Sequence, residues 1–267
     1  VGVINILNLN PPQRFIDVER SYDLYMNQYN IRGLDDPTIY KDENATGVLV
    51  SHGFGATRVF NEYVTLEAIS GSIATLEALK GTGAWSDGLQ PQLDSMYESM
   101  NGHNPADSTF FGQRAVEILD SMIARYPEFW LNYILMADYV RGKGDSARAL
   151  QYLLDGEKNI AAFYEKSPDI ANYAQDLGLI KHEIARALGP AEDQGREEQA
   201  LELLWEGFYI NMNSGMAYQK LIQYLYERQR SSDVVRATRL HADYKINLYT
   251  NANVKRILEQ FGGLSFP

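Results

Sequence analysis

Ala115, Leu119 and Met122 recur as Ala149, Leu153 and Gly156, and each pair is 34 residues apart. Within each triplet the steps of four and three residues put all three side chains on one face of a helix. A period of this length holds two helices and the turn between them. Such a helix pair cannot bury its apolar face alone, so it stacks on the next pair. Pro127 falls where one unit closes, Phe129 where the next opens, and Gly144-Asp145 between two antiparallel helices. The spacing therefore predicts an all-α chain, a right-handed superhelix of antiparallel helix pairs. It specifies a way of making surface and names no reaction.

The same grammar continues downstream. Gly144 precedes Ala149 by five residues, as Gly195 precedes Ala200, and Asp145 precedes Ala149 by four, as Asp233 precedes Ala237. Leu177-Gly178 is a large–small pair that lets two backbones approach. Helices are expected from Asp107 to Tyr126, Glu128 to Arg141, Asp145 to Lys166, Ser167-Pro168 to Leu188, Glu197 to Asn211, Met216 to Gln229, Ser232 to Tyr249 and Asn253 to Phe261. This pattern resembles tetratricopeptide repeats. The resemblance implies a tetratricopeptide-like superhelix over residues 107–267, with three repeats from Phe129 onward after an incomplete one.

Residues 17–106 read as a less regular helical part. Asp17 caps a helix to Asn30, with Val18, Tyr22, Tyr25, Met26 and Tyr29 at helical spacing. Leu34 to Tyr40 is a turn. A second helix starts at Asp42 or Asn44 and runs to Ile69, with Gly71 as its stop. Short helices follow from Ser72 to Lys80 and from Pro91 to Met100. Residues 1–16 form an extended N-terminal arm. There apolar residues alternate with small or polar ones through Asn10, and Pro11-Pro12 stiffens the chain.

Composition bounds the function. The 267 residues are 45% hydrophobic and carry a formal net charge of -11. That balance disfavours nucleic acid, which needs Lys and Arg against phosphate, and disfavours an anionic membrane surface. With no cysteine, disulfides, zinc–thiolate sites and a thiol nucleophile are excluded. No run approaches the roughly 20 apolar residues of a membrane span. The first residues carry no signal-peptide pattern, and a start at Val1 rather than Met points to processing, truncation or an incomplete start.

Little here reads as chemistry. Gly47-Val48-Leu49-Val50-Ser51-His52-Gly53-Phe54-Gly55 looks like the strand and His-Gly loop of an α/β-hydrolase, which would use Ser51 or His52. The chain lacks the Gly-x-Ser-x-Gly elbow that such an enzyme needs, so the segment is read as a helix with glycines for close packing or a local break. His52, His103, His182 and His241 are far apart and form no ligand pair. Asp35, Asp36, Asp42, Glu43 and Asn44 lack the EF-hand spacing and read as a turn with helix caps. Glu197-Glu198 and Glu227-Arg228 read as solvated helix faces. Gly83 to Gly88 lacks the lysine of a P-loop. No catalytic residue, cofactor or metal is expected.

One stretch is more specific. Asp17-Val18-Glu19-Arg20-Ser21-Tyr22-Asp23-Leu24, then Tyr29 to Pro37, then Tyr40-Lys41-Asp42-Glu43-Asn44, resembles the C-terminal region of DUF2723 proteins. These are bacterial multi-span membrane proteins similar to protein O-mannosyltransferases, with soluble C-terminal helices of tetratricopeptide type. The match covers residues 17–44 and no membrane-embedded part, so no catalytic residue carries over. The resemblance implies an extracytoplasmic helical module beside a membrane.

The expected role is a non-enzymatic scaffold with a membrane-associated protein partner, as an accessory subunit of a larger complex such as a photosynthetic or respiratory assembly. The alternative is a detached C-terminal domain of a glycosyltransferase-like membrane protein. Candidate partner contacts are Val1, Val3, Ile4, Ile6, Leu7, Leu9, Pro11 and Pro12 on the arm, and Arg32, Asp35 and Asp36 in the turn. Trp130, Tyr133, Tyr173, Trp205, Tyr209 and Tyr218 complete the set, because amphipathic aromatics suit contact surfaces.

Overall fold

A computed structural model describes residues 17–28, 43–245 and 252–262. The arm residues from Val1 to Pro12, and Arg32, Asp35 and Asp36, lie outside the described residues. Those that are described form eleven α-helices and no strand. The helices are α1 (Val18–Asp23), α2 (Glu43–Leu79), α3 (Gln90–Ser99), α4 (Ser108–Arg125), α5 (Trp130–Gly142) and α6 (Ser146–Lys166). There follow α7 (Ala171–Leu188), α8 (Arg196–Ile210), α9 (Gly215–Glu227), α10 (Ser231–Tyr244) and α11 (Ala252–Gly262). The chain divides into two units. Residues 17–28 and 50–125 belong to the first, and residues 43–49, 126–245 and 252–262 to the second.

In the first unit the Asp17 side chain accepts the Arg20 amide and starts α1. After Asp23 the helix widens into a π-helical turn, Leu24–Gln28. The Arg125 guanidinium donates to the carbonyls of Tyr25 and Met26 at 2.9 and 2.8 Å, which satisfies acceptors that a helix end leaves open. Gly71 does not stop α2. Ile69 and Ile73 on either side of it are buried, and that burial outweighs the roughly 1 kcal/mol that glycine costs a helix. The Gly47–Gly55 segment is likewise helical and unbroken. A side chain on Gly55 would collide with the Tyr25 hydroxyl, so this glycine serves close packing.

Ala115, Leu119 and Met122 of α4 are completely buried in the first unit. In the second unit the equivalent Ala149 and Leu153 are buried to the same degree. The third equivalent is a glycine for a steric reason. A Cβ on Gly156 would lie 2.8 Å from Tyr133 Cγ, so the tyrosine ring fills the space that a side chain at 156 would need.

The second unit is a run of helix pairs, α5 with α6, α7 with α8 and α9 with α10, closed by α11. Each pair turns over in a few residues. Between α5 and α6, Gly144 takes a φ of +90°, which favours glycine, and the Asp145 carboxylate then caps α6 on the Arg148 amide. α5 and α7 open alike, on Phe129 and Ile170, two buried apolar residues that make no side-chain cap bond. α7 thus begins after Ser167-Pro168-Asp169, later than the proline suggests, because Ile170 is anchored in the core. The turn before α8 is enlarged and uses positive φ at Gly189 and Gly195.

The pairs pack unequally. First helices approach one another directly, α5 against α7 and α7 against α9, whereas the second helices α6, α8 and α10 stand further apart. Phe208, Leu204 and Ala200 of α8 join Leu221, Leu225, Val234 and Ala237 in one core. Val235, Ala242, Val254 and Leu258 attach α11 to α10.

Two glycine-to-alanine substitutions should move stability in opposite directions. Gly156→Ala forces an atom against the buried Tyr133 ring and is expected to cost about 1–3 kcal/mol. Gly71→Ala meets nothing within 4 Å and should stabilise α2 by about 0.5–1 kcal/mol. Urea unfolding of the two variants checks the contrast.

Candidate functional site

The wider spacing of α6, α8 and α10 leaves one face of α8 uncovered. Along it lie Leu201, Glu202, Trp205, Glu206, Tyr209 and Ile210, which line a shallow apolar hollow. Steps of four and one along the helix keep these residues on one side. Trp205 and Tyr209 stack with ring centroids 5.5 Å apart and planes inclined by 25°. A second hollow adjoins on the α6 side and shares Glu202 and Glu206. Ala161, Leu177 and Leu203 contribute its apolar lining, with Tyr164 and Glu165 among its polar residues.

Long side chains bridge the spaces between the second helices. From α6, the Tyr164 hydroxyl donates to Glu206 at 2.5 Å. Burial, and then this carboxylate, push the Tyr164 phenol up to about 12. From α10, Arg236 donates to the Tyr209 hydroxyl at 2.6 Å and lays its guanidinium 4.7 Å from the Trp205 ring centre, a cation–π contact.

The six aromatic candidates have different fates. Trp205 and Tyr209 sit on this face, half-buried and exposed respectively. Trp130 is half-buried at the first turn of α5. Tyr133 is buried, donates to the Pro127 carbonyl at 2.9 Å and receives a bond from Asn159 at 2.9 Å. Desolvation by burial is the main reason its phenol is pushed up to about 12. Tyr173 is buried with its ring near Phe163. Tyr218 shares a hydrogen bond with Thr238 and stacks flat on His241, with centroids 4.4 Å apart. Helical spacing alone does not separate these roles.

A second set of polar residues lies on α7, of which only His182 was singled out in the sequence. Asn172, Gln175, Asp176 and His182 of α7 are all buried. Gln175 Nε2 donates to the carbonyls of Leu204 and Ala217, and Asp176 accepts from Lys220 at 2.5 Å. His182 Nδ1 lies 3.0 Å from both Glu197 and Arg228. Arg228 also pairs with Glu197, which accepts the Tyr224 hydroxyl. Glu197 is half-buried in this network, whereas Glu198, Glu227 and Arg228 are exposed, as read above, with the Arg228 guanidinium reaching back to the network. Lys181 pairs with Glu157 at 2.6 Å, and Arg196 reaches the same carboxylate at 3.5 Å. These residues fasten α7 to α6, α8 and α9 and hold the α8 face in place. Nothing in the periodicity marks them, because polar residues at inner positions read as solvated.

The histidines are spread through packing environments. His52 lies beside Tyr25 with the rings tilted, His103 meets Phe111 edge-on, and His241 Nδ1 donates to the Met212 carbonyl at 2.6 Å. Among the described residues no group of three His, Asp or Glu side chains could hold a metal ion. No protein-family model matches the chain, and no curated protein matches its sequence.

Burial lowers the His52 and His241 pKa values below the usual histidine value, with the nearby charges of Arg125 and Lys245 adding to it. A histidine held neutral in the fold lets the unfolded chain bind more protons as pH falls below about 6.5. The stability these groups contribute is therefore present above that pH and lost on acidification through the folded values. His241→Phe, which keeps the stack on Tyr218, should flatten this loss between about pH 7 and about pH 5. Urea midpoints of the two proteins across that range provide the check.

Proposed function

We propose that the protein is a non-enzymatic interaction module that binds or braces another protein through the outward face of α8 and its flanks. One observation carries the reading: Trp205, Tyr209 and Ile210 form an apolar surface beside a hollow, on a helix fixed by its core residues and by the ion pairs of Arg196 and Glu197. Aromatic residues on a rigid support are what protein interfaces use as anchors. Gln175, Asp176 and His182 of α7 are engaged in holding helices together, which fits a scaffold.

The location proposed is the extracytoplasmic side of a membrane, with a membrane-associated protein as partner and the chain as an accessory subunit of a larger complex. The resemblance of residues 17–44 supports that placement. No helix among the described residues is long and apolar enough to cross a membrane, so attachment through a partner accords with the structure.

Affinity isolation of the full chain from native membranes under mild detergent tests the reading. A discrete protein should accompany the chain, and should be lost from a Tyr209→Ser/Ile210→Ser variant while Tyr97→Ser retains it. Recovery of the chain alone, or equal capture by the α8 variant, contradicts it.

A further inference from the structure

The charges around the α8 face specify the partner further, an inference that rests on the interaction reading above. Glu165, Glu202 and Glu206 line the two hollows against a single base, Lys181, and that lysine is held by Glu157 at 2.6 Å. Glu165 and Glu202 are exposed and have no ion-pair partner among the described residues. Among the described residues, Glu206 is bound only by a neutral phenol. Glu202 and Glu206 line the same hollow as the stacked Trp205 and Tyr209 rings, whose faces attract cations, and Glu165 lines the adjoining hollow.

A guanidinium already occupies one edge of this platform. Arg236 reaches across from α10 and rests on the indole while it donates to the tyrosine hydroxyl. The chain thus shows, with its own side chain, how these rings receive an arginine. On the α6 side the rings adjoin carboxylates in place of a base. A second copy of the chain makes a poor occupant, because each carries a net charge of -11 and like charges repel across an interface.

We propose that the α6–α8 face docks an arginine-bearing, partly apolar segment of a partner protein. Its apolar side chains pack on Leu201, Trp205 and Ile210, and its guanidinium groups meet Glu165, Glu202 and the aromatic faces. Arginine suits such a site because its planar group both stacks on rings and pairs with carboxylates.

The test uses the full-length protein and fluorescent peptides of repeated Arg-Leu-Ala, with Gln-Leu-Ala and Glu-Leu-Ala counterparts. The arginine peptide should bind, and added salt should weaken it. Glu165→Gln/Glu202→Gln should weaken it about tenfold, from up to about fivefold for each exposed pair. The control Glu98→Gln/Glu259→Gln makes the same change in net charge at exposed sites elsewhere and should leave binding unchanged. Equal binding of the glutamine peptide, or equal loss in the control, overturns the inference.

Capture from native membranes separates this result from the broader reading. A partner lost from Tyr209→Ser/Ile210→Ser but retained by Glu165→Gln/Glu202→Gln leaves an interaction module whose partner is not cationic, and the inference fails. Absence of any partner removes the interaction reading itself.

Discussion

The close approach of helix backbones at small residues is the constraint on which the second unit depends. A Cβ on Gly178 would lie 2.9 Å from the Ala200 carbonyl oxygen, and one on Gly207 2.6 Å from that of Ala171. α7 and α8 therefore touch backbone to backbone at both ends of their contact, and no side-chain rearrangement can relieve a substitution there. Gly156 plays the same part against the Tyr133 ring. Nesting at these points sets the spacing of the α5–α6 and α7–α8 pairs. It brings the first helices into direct packing and leaves the second helices apart, spanned by Tyr164 and Arg236. The uncovered face of α8 is a consequence of that geometry.

Such tight nesting leaves little room for water, so polar side chains drawn inside must find protein partners. α7 meets most of this demand, leaving Gln175 Oε1 and His182 Nε2 without a hydrogen bond among the described residues. Its Asp176 and His182 face Lys220 and the Glu197–Arg228 pair, and Gln175 spans to carbonyls of α8 and α9. A buried ion pair adds little net stability over an apolar pair, but it penalises other registers because a misplaced charge stays buried and unmatched. The network thus fixes the register of α7, α8 and α9, on which the position of Trp205 and Tyr209 depends.

The architecture was legible because Ala115, Leu119 and Met122 repeat at a fixed interval, and identical burial follows identical position. Where the register shifts, the same logic was legible only in part, through the match of Gly195–Ala200 to Gly144–Ala149. Ala200, Leu204 and Gly207 have the spacing of Ala149, Leu153 and Gly156, yet they lie 51 positions on, after a longer helix pair and the enlarged Gly189–Gly195 turn. The passage of α2 through Gly71 and the Leu24–Gln28 π-helical turn could not be read locally, because tertiary burial and the Arg125 bonds decide them. The candidate site was half legible. Trp205 and Tyr209 stood out as aromatics, but so did Tyr133 and Tyr173, and only the arrangement of neighbouring helices separates surface from core. Nothing in the sequence marks Glu165 or Glu202; the hollows put Glu202 beside the rings and Glu165 in the adjoining hollow.

The account's central claim is that the α8 face meets a protein partner. Photocrosslinking in the native cell tests it most directly, with a photoreactive phenylalanine analogue placed once at Tyr209 and once at Tyr97, both exposed tyrosines. The account predicts one discrete crosslinked protein from position 209 and none from 97. No adduct at 209, or the same adducts from both positions, would contradict it.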